Sequence, residues 1–166
     1  FSDDFCADTS YRPIVVSNIP NYQDQMNWKP YNKNIDIELL NQLSIEFVKK
    51  LENELNNAFD SEPMPSGKVN YIRSFISNKN ELLVKLSFNT KDKLMYNGNL
   101  LSKWFYVSGD KVKYLGSYRN LVDAADYDND GFSDLIFFET GGYFSSGYTL
   151  IYNNLNDKCQ FSYGLN

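Results

Sequence analysis

Histidine is absent from this chain of 166 residues. Without an imidazole, the sequence has neither the usual general base nor the commonest ligand of transition metals. Nucleophilic pairs of the Ser-His and Cys-His type are excluded as well. Most hydrolase mechanisms are therefore excluded, and we expect a protein that is not an enzyme.

Cysteine is scarce, since the chain has two. Cys6 and Cys159 lie near opposite ends and lack the CxxC spacing of redox or zinc motifs. A disulfide between them fits better, and it persists only in an oxidising compartment. The first residue is Phe1, as expected if a secretion signal or another leading segment has been removed. We therefore expect an extracytoplasmic protein, periplasmic or secreted.

Long apolar runs and a net positive charge are also missing. No apolar run approaches the roughly eighteen residues of a membrane span. The net charge of −5 disfavours a nucleic-acid partner. Basic residues concentrate in residues 68–119, which suggests either solvent-facing strand lysines or a basic face for an acidic partner. The alternation of Lys111 and Lys113 with Val112 and Tyr114 favours solvent-facing strand lysines, and we expect the same of Lys85.

The acidic stretch at residues 126–134, Asp-Tyr-Asp-Asn-Asp-Gly-Phe-Ser-Asp, is the most informative motif that is present. Calcium takes about six to eight oxygen ligands, which a tight loop supplies from alternate side chains, a backbone carbonyl and water. Gly131 permits the positive-φ turn that brings later oxygens back to the same ion. The spacing predicts a Ca²⁺ site whose ligands are Asp126, Asp128, Asp130, the carbonyl of Phe132, and Asp134.

The motif resembles the calcium loops of FG-GAP and VCBS-type repeats, as in the β-propeller of integrin α-subunits. The resemblance covers about residues 125–138 and implies the same five ligands, on a turn that joins two strands. It does not extend to a propeller, because the motif occurs once. An EF-hand is disfavoured, because its closing glutamate is replaced by Phe137.

A solvated turn without metal is the alternative for these residues, because Asp, Asn and Gly favour turns. No lysine or arginine lies between Asp123 and Glu139 to offset the four carboxylates of the motif. A bound cation offsets their repulsion, so the sequence favours the metal site over the plain turn.

The fold prediction rests on a change of hydrophobic period. Residues 1–33 form an irregular arm, and residues 34–59 carry apolar side chains every three or four positions, which predicts an amphipathic helix. Residues 68–166 alternate with a period of two between turn signals. The prediction is one α+β domain over residues 1–166: an antiparallel meander of about six to eight strands with the helix packed on one face.

A second candidate site is the loop at residues 141–148, where aromatic side chains stand among glycines and serines. Tyr143, Phe144 and Tyr148 suggest a partner-binding surface, although aromatic rings that fold back onto the sheet are an equal alternative. The sequence predicts a monomeric, non-catalytic module that binds a protein or glycan, of the inhibitor, immunity or adhesion type. The alternative is a carboxylate-dependent secreted hydrolase with structural calcium, for which Glu139 is the candidate carboxylate.

Overall fold

The computed structural model describes residues 21–58, 66–90, 101–117, 119–140 and 145–164. The chain divides into two compact units: Trp28–Arg119 forms one, and the residues up to Asn27 and from Asn120 onward form the other. The single domain expected from the sequence stays a prediction. In the described ranges, no helix has the length and apolar character needed to cross a membrane.

The unit Trp28–Arg119 combines a helix with a five-stranded sheet. Helix α1 spans Ile37–Ala58, inside the predicted range of 34–59. The strands follow one another in chain order, and every neighbouring pair is antiparallel: β1 Lys29–Pro30, β2 Gly67–Ile76, β3 Leu82–Thr90, β4 Ser102–Ser108 and β5 Lys111–Ser117.

Asp36 defines the start of the helix. Its carboxylate oxygen Oδ1 accepts hydrogen bonds from the backbone N–H groups of Glu38 at 2.8 Å and Leu39 at 3.2 Å. These donors have no partner inside the helix, so a capping carboxylate satisfies them and favours the helix end electrostatically.

The apolar stripe of α1 packs on one face of this sheet. Leu43, Phe47, Leu51 and Leu55 are fully buried or nearly so, whereas Ile37, which the periodicity also placed on the stripe, is 74% exposed. The stripe forms one core cluster with strand side chains from β3 and β4: Val84, Leu86, Phe88, Phe105 and Val107.

A buried ionic network ties the helix to the sheet. The ammonium of Lys103 is completely buried and donates to Glu54 Oε2 at 2.6 Å and Ser117 Oγ at 2.8 Å. Tyr114 donates to the other oxygen of Glu54 at 2.5 Å. Burial lowers the pKa of Lys103, and the hydrogen bond to Glu54 opposes that shift.

Lysines on these strands are not uniformly solvent-facing. Lys111 is exposed, but Lys85 is buried, with its ammonium 5.8 Å from the centre of the Trp104 ring. The prediction of a solvent-facing Lys85 is therefore wrong. A period of two assigns a residue to a face of the sheet, but it does not reveal that the face is covered.

We predict that Glu54→Ala destabilises the protein by about 1–3 kcal/mol, because it leaves the buried Lys103 ammonium without its carboxylate partner. Glu52→Ala is the matched control, since Glu52 lies two residues away on the same helix and is exposed. Urea unfolding followed by circular dichroism measures both. Equal stability of the two variants would show that the network contributes nothing.

The other unit contains a four-stranded sheet in the order β6-β7-β8-β9. Its strands are β6 Arg119–Ala125, β7 Asp134–Thr140, β8 Ser145–Tyr152 and β9 Asp157–Gly164. Leu135, Ile136 and Phe137 of β7 are buried, and β8 pairs antiparallel with both β7 and β9. The inner strand β7 begins at Asp134, the last residue of the acidic motif.

The predicted α+β fold with a single meander is wrong. The described residues form a mostly β structure with nine strands in two sheets and one helix. Strands β5 and β6 belong to different sheets. A period of two predicts strands, but it does not predict which strands pair with one another.

Candidate metal site

The acidic motif forms the turn between β6 and β7, two neighbouring strands of the second sheet. Its backbone enters the left-handed region twice, at Asn129 with φ of 61° and at Gly131 with φ of 87°. Asparagine and glycine are the residues that adopt this conformation most readily. The turn therefore closes tightly and brings its side chains to one point.

Hydrogen bonds from the backbone hold the first three aspartates of the motif in place. Asp126 Oδ2 accepts from Gly131 N at 3.0 Å, Asp128 Oδ1 accepts from Asp130 N at 3.1 Å, and Asp130 Oδ1 accepts from Phe132 N at 2.8 Å. Such local bonds are typical of aspartate in turns. Each carboxylate has one oxygen bound to the turn itself.

Asp126, Asp128 and Asp130 form an acidic triad. One carboxylate oxygen from each lies within 4.8 Å of the other two. Two oxygens on one calcium ion, each about 2.6 Å from it at most, are separated by no more than about 5.2 Å. The triad thus has the spacing of ligands to a single metal ion, and the prediction that these three residues converge is confirmed.

Asp126 differs from the other two members because it is completely buried, whereas Asp128 and Asp130 are exposed. Its oxygen Oδ1 has no hydrogen-bond partner. A buried carboxylate oxygen without a partner is strongly unfavourable, so such atoms are almost always paired with a donor or a metal. The triad, with this buried carboxylate as a member, could therefore bind a metal ion.

Asp134, the fourth predicted carboxylate ligand, is buried but is not a member of the triad. Its Oδ2 accepts a hydrogen bond from Tyr127 N at 2.9 Å. Burial raises the pKa of Asp134 to about 6, and the charges of Asp128, Asp130 and Asp126 add to the increase, while the Tyr127 N–H opposes it. Both Asp134 and the Phe132 carbonyl remain predicted ligands.

Two tyrosine hydroxyls, those of Tyr22 and Tyr127, are buried beside the acidic turn. Burial raises the pKa of Tyr22 to about 12, and the negative charges of Asp24, Asp126 and other aspartates contribute further. Burial also raises the pKa of Tyr127, with the nearby carboxylate of Asp123 contributing. Both hydroxyls are therefore close enough to the aspartates of this region to be affected by their negative charge.

Residues 21–27 contact the acidic turn, a contact absent from the sequence interpretation. Asp24 Oδ1 accepts from the backbone N–H of Asp126 at 3.1 Å, and Gln25 Nε2 donates to Asn129 Oδ1 at 2.7 Å. The partners are separated by more than 100 positions, so no local pattern reveals them. The one feature of the sequence that could have indicated this contact is the irregular character of the segment.

The remaining sequence candidates are only partly described. Tyr143, Phe144 and Cys6 lie outside the described residues. Tyr148 is half-buried in β8, with its ring centre 5.3 Å from that of Phe138 on the neighbouring strand. Cys159 is exposed in β9 as a free thiol. The disulfide and the partner-binding loop therefore stay predictions.

Glu139 participates in side-chain hydrogen bonds across the second sheet. Its Oε1 accepts from the hydroxyl of Thr149 at 2.6 Å, and its Oε2 accepts from Gln160 at 3.5 Å. Both oxygens have protein partners, one on the neighbouring strand β8 and one on β9 beyond it. This arrangement is typical of a structural carboxylate.

Comparisons of the chain with protein families, with curated proteins and with solved structures find no match.

We predict that Gly131→Ala weakens metal binding, because a Cβ at positive φ is strained by about 1–2 kcal/mol and Gly131 N also holds Asp126 in place. Gly109→Ala is the matched control, since Gly109 lies in the β4–β5 turn with φ of 56°. Both variants are expected to lose stability without metal. Calorimetry with calcium separates them: an unchanged affinity in Gly131→Ala would contradict the role given to this turn.

Proposed function

We propose that this chain binds calcium at the β6–β7 turn and works as a non-catalytic extracytoplasmic module that binds a protein or a glycan. The observation that carries the metal half is the buried Asp126, whose Oδ1 has no partner and belongs to the acidic triad. A cation bound at the triad would compensate the negative charge of the buried Asp126 carboxylate.

The donor set supports calcium over other metals. The triad offers carboxylate oxygens alone, and the chain has no histidine. Soft and borderline metals prefer thiolate or imidazole ligands, whereas oxygen ligands suit calcium, magnesium and manganese. Magnesium demands near-ideal octahedral geometry, while calcium accepts the irregular ligands of a tight turn.

Location outside the cytosol is part of the same proposal. Calcium loops of extracellular modules have dissociation constants on the order of 10⁻⁴–10⁻³ M, and these are occupied where calcium is plentiful. When calcium is bound, it offsets the charge of the crowded aspartates and thereby stabilises the turn before the buried strand β7.

The non-catalytic part of the proposal is supported by the state of the candidate catalytic group. A carboxylate-dependent hydrolase needs two carboxyl groups facing a substrate. Glu139 instead accepts hydrogen bonds from Thr149 and Gln160 within its own sheet. No observation on this residue favours the hydrolase alternative.

Calcium titration followed by thermal unfolding tests the proposed calcium binding. At calcium about a hundred times the dissociation constant, we expect the melting temperature to rise by about 5–10 °C. Asp128→Ala and Asp130→Ala are expected to abolish the rise. Asp110→Ala, which removes an exposed aspartate from the β4–β5 turn, should leave it intact.

Asp126→Asn is a second variant for this titration, and its expected effect on stability differs with and without calcium. Without calcium, the variant should be at least as stable as the native chain, because it removes a buried charge with an unpaired oxygen. With calcium, it should be less stable, because the ligand is weakened. A variant that is equally destabilised in both conditions would contradict metal binding at Asp126.

The proposed binding of a protein or glycan is tested with immobilised protein that is presented to glycan arrays and to extracellular protein fractions. We expect Tyr148→Ala to reduce retention of the bound partner, because the half-buried ring leaves part of its surface available for contact. Tyr152→Ala, at the other end of β8, is the matched control. Equal retention by both variants would contradict the assigned partner loop.

A further inference from the structure

The segment of residues 21–27, between the start of the described chain and the first sheet, has no helix or strand of its own. Its shape comes from side-chain contacts. Asp24 accepts hydrogen bonds from the backbone of Met26 at 2.9 Å and Asn27 at 2.8 Å, which folds the segment on itself. Asn27 takes a positive φ of 44° at its end.

The same segment is tied to the acidic turn at two separate points. Asp24 Oδ1 accepts from the backbone N–H of Asp126, and Gln25 Nε2 donates to Asn129 Oδ1. Met26 is completely buried, so the segment also contributes apolar area. Three neighbouring residues thus anchor it.

The two hydrogen bonds hold the parts of the turn that shape the metal site. Asp126 provides the buried oxygen without a partner, and Asn129 has one of the two left-handed backbone conformations of the turn. Detachment of residues 21–27 would break both hydrogen bonds to these two residues.

We propose that residues 21–27 are a positioning element of the calcium site, so that calcium binding and attachment of this segment stabilise each other. This inference rests on the proposed calcium binding. Asp24 and Gln25 act through the backbone of Asp126 and the side chain of Asn129, and they are not assigned as ligands.

The coupling has a simple physical basis. Ordering an irregular segment costs conformational entropy, about 1–2 kcal/mol for each residue fixed. A cation that restrains the turn presents the Asp126 N–H and the Asn129 carboxamide in place, so that less ordering remains when the segment attaches. Linkage then requires the reciprocal effect: an attached segment raises calcium affinity by the same factor.

The test measures calcium affinity by calorimetry and amide hydrogen exchange of residues 21–27 on the full chain. Calcium should slow exchange in this segment at least about five-fold, the lower range of typical coupling. Gln25→Ala changes no charge, yet it should weaken calcium binding and reduce the slowing. Gln42→Ala, at an exposed position of α1, is the matched control.

Asp24→Asn is a second variant, because it retains the size of the side chain while it weakens the bonds to the backbone. It should shift both readouts in the same direction as Gln25→Ala. Calcium binding with unchanged exchange in the native chain, or with native affinity in both variants, would overturn the coupling and leave the proposed metal function standing. A native chain that binds no calcium would overturn both.

Discussion

The crowding of aspartates at the β6–β7 turn is the main constraint on the unit that contains strands β6 to β9. Three carboxylates converge within 4.8 Å, and one of them is completely buried with an oxygen that no donor satisfies. Local hydrogen bonds from the backbone of Gly131, Asp130 and Phe132 each bind one oxygen of an aspartate and shape the turn. A divalent cation resolves this repulsion in a way that hydrogen bonds within the turn do not.

The position of this turn would give a metal ion bound there a structural role. Strand β7 follows immediately and contributes Leu135, Ile136 and Phe137 to the buried interior. The segment of residues 21–27 joins the same turn from a distant part of the chain. The turn is thus continuous with an inner strand and hydrogen-bonded to a distant segment, so that a ligand bound there would stabilise both.

The other unit depends on a different principle. Helix α1 and its sheet share an apolar core, and the ionic network of Glu54, Lys103, Tyr114 and Ser117 crosses the contact between them. The buried ammonium of Lys103 is tolerated because it donates hydrogen bonds to Glu54 and Ser117 and lies over the ring of Phe47. Within this unit the charged and polar residues join the helix to the sheet beside the apolar core.

Much of the local structure was determined by the sequence alone. The spacing of Leu43, Phe47, Leu51 and Leu55 predicted the helix, and the spacing of three aspartates before Gly131 predicted the acidic triad, because both patterns act over a few residues. Only the tertiary structure decided that the strands form two sheets, that Lys85 and Lys103 are buried, and that Asp24 meets Asp126. Strand pairing, burial and such contacts depend on groups far apart in the chain. A local hydrophobic period does not identify which distant residues come into contact.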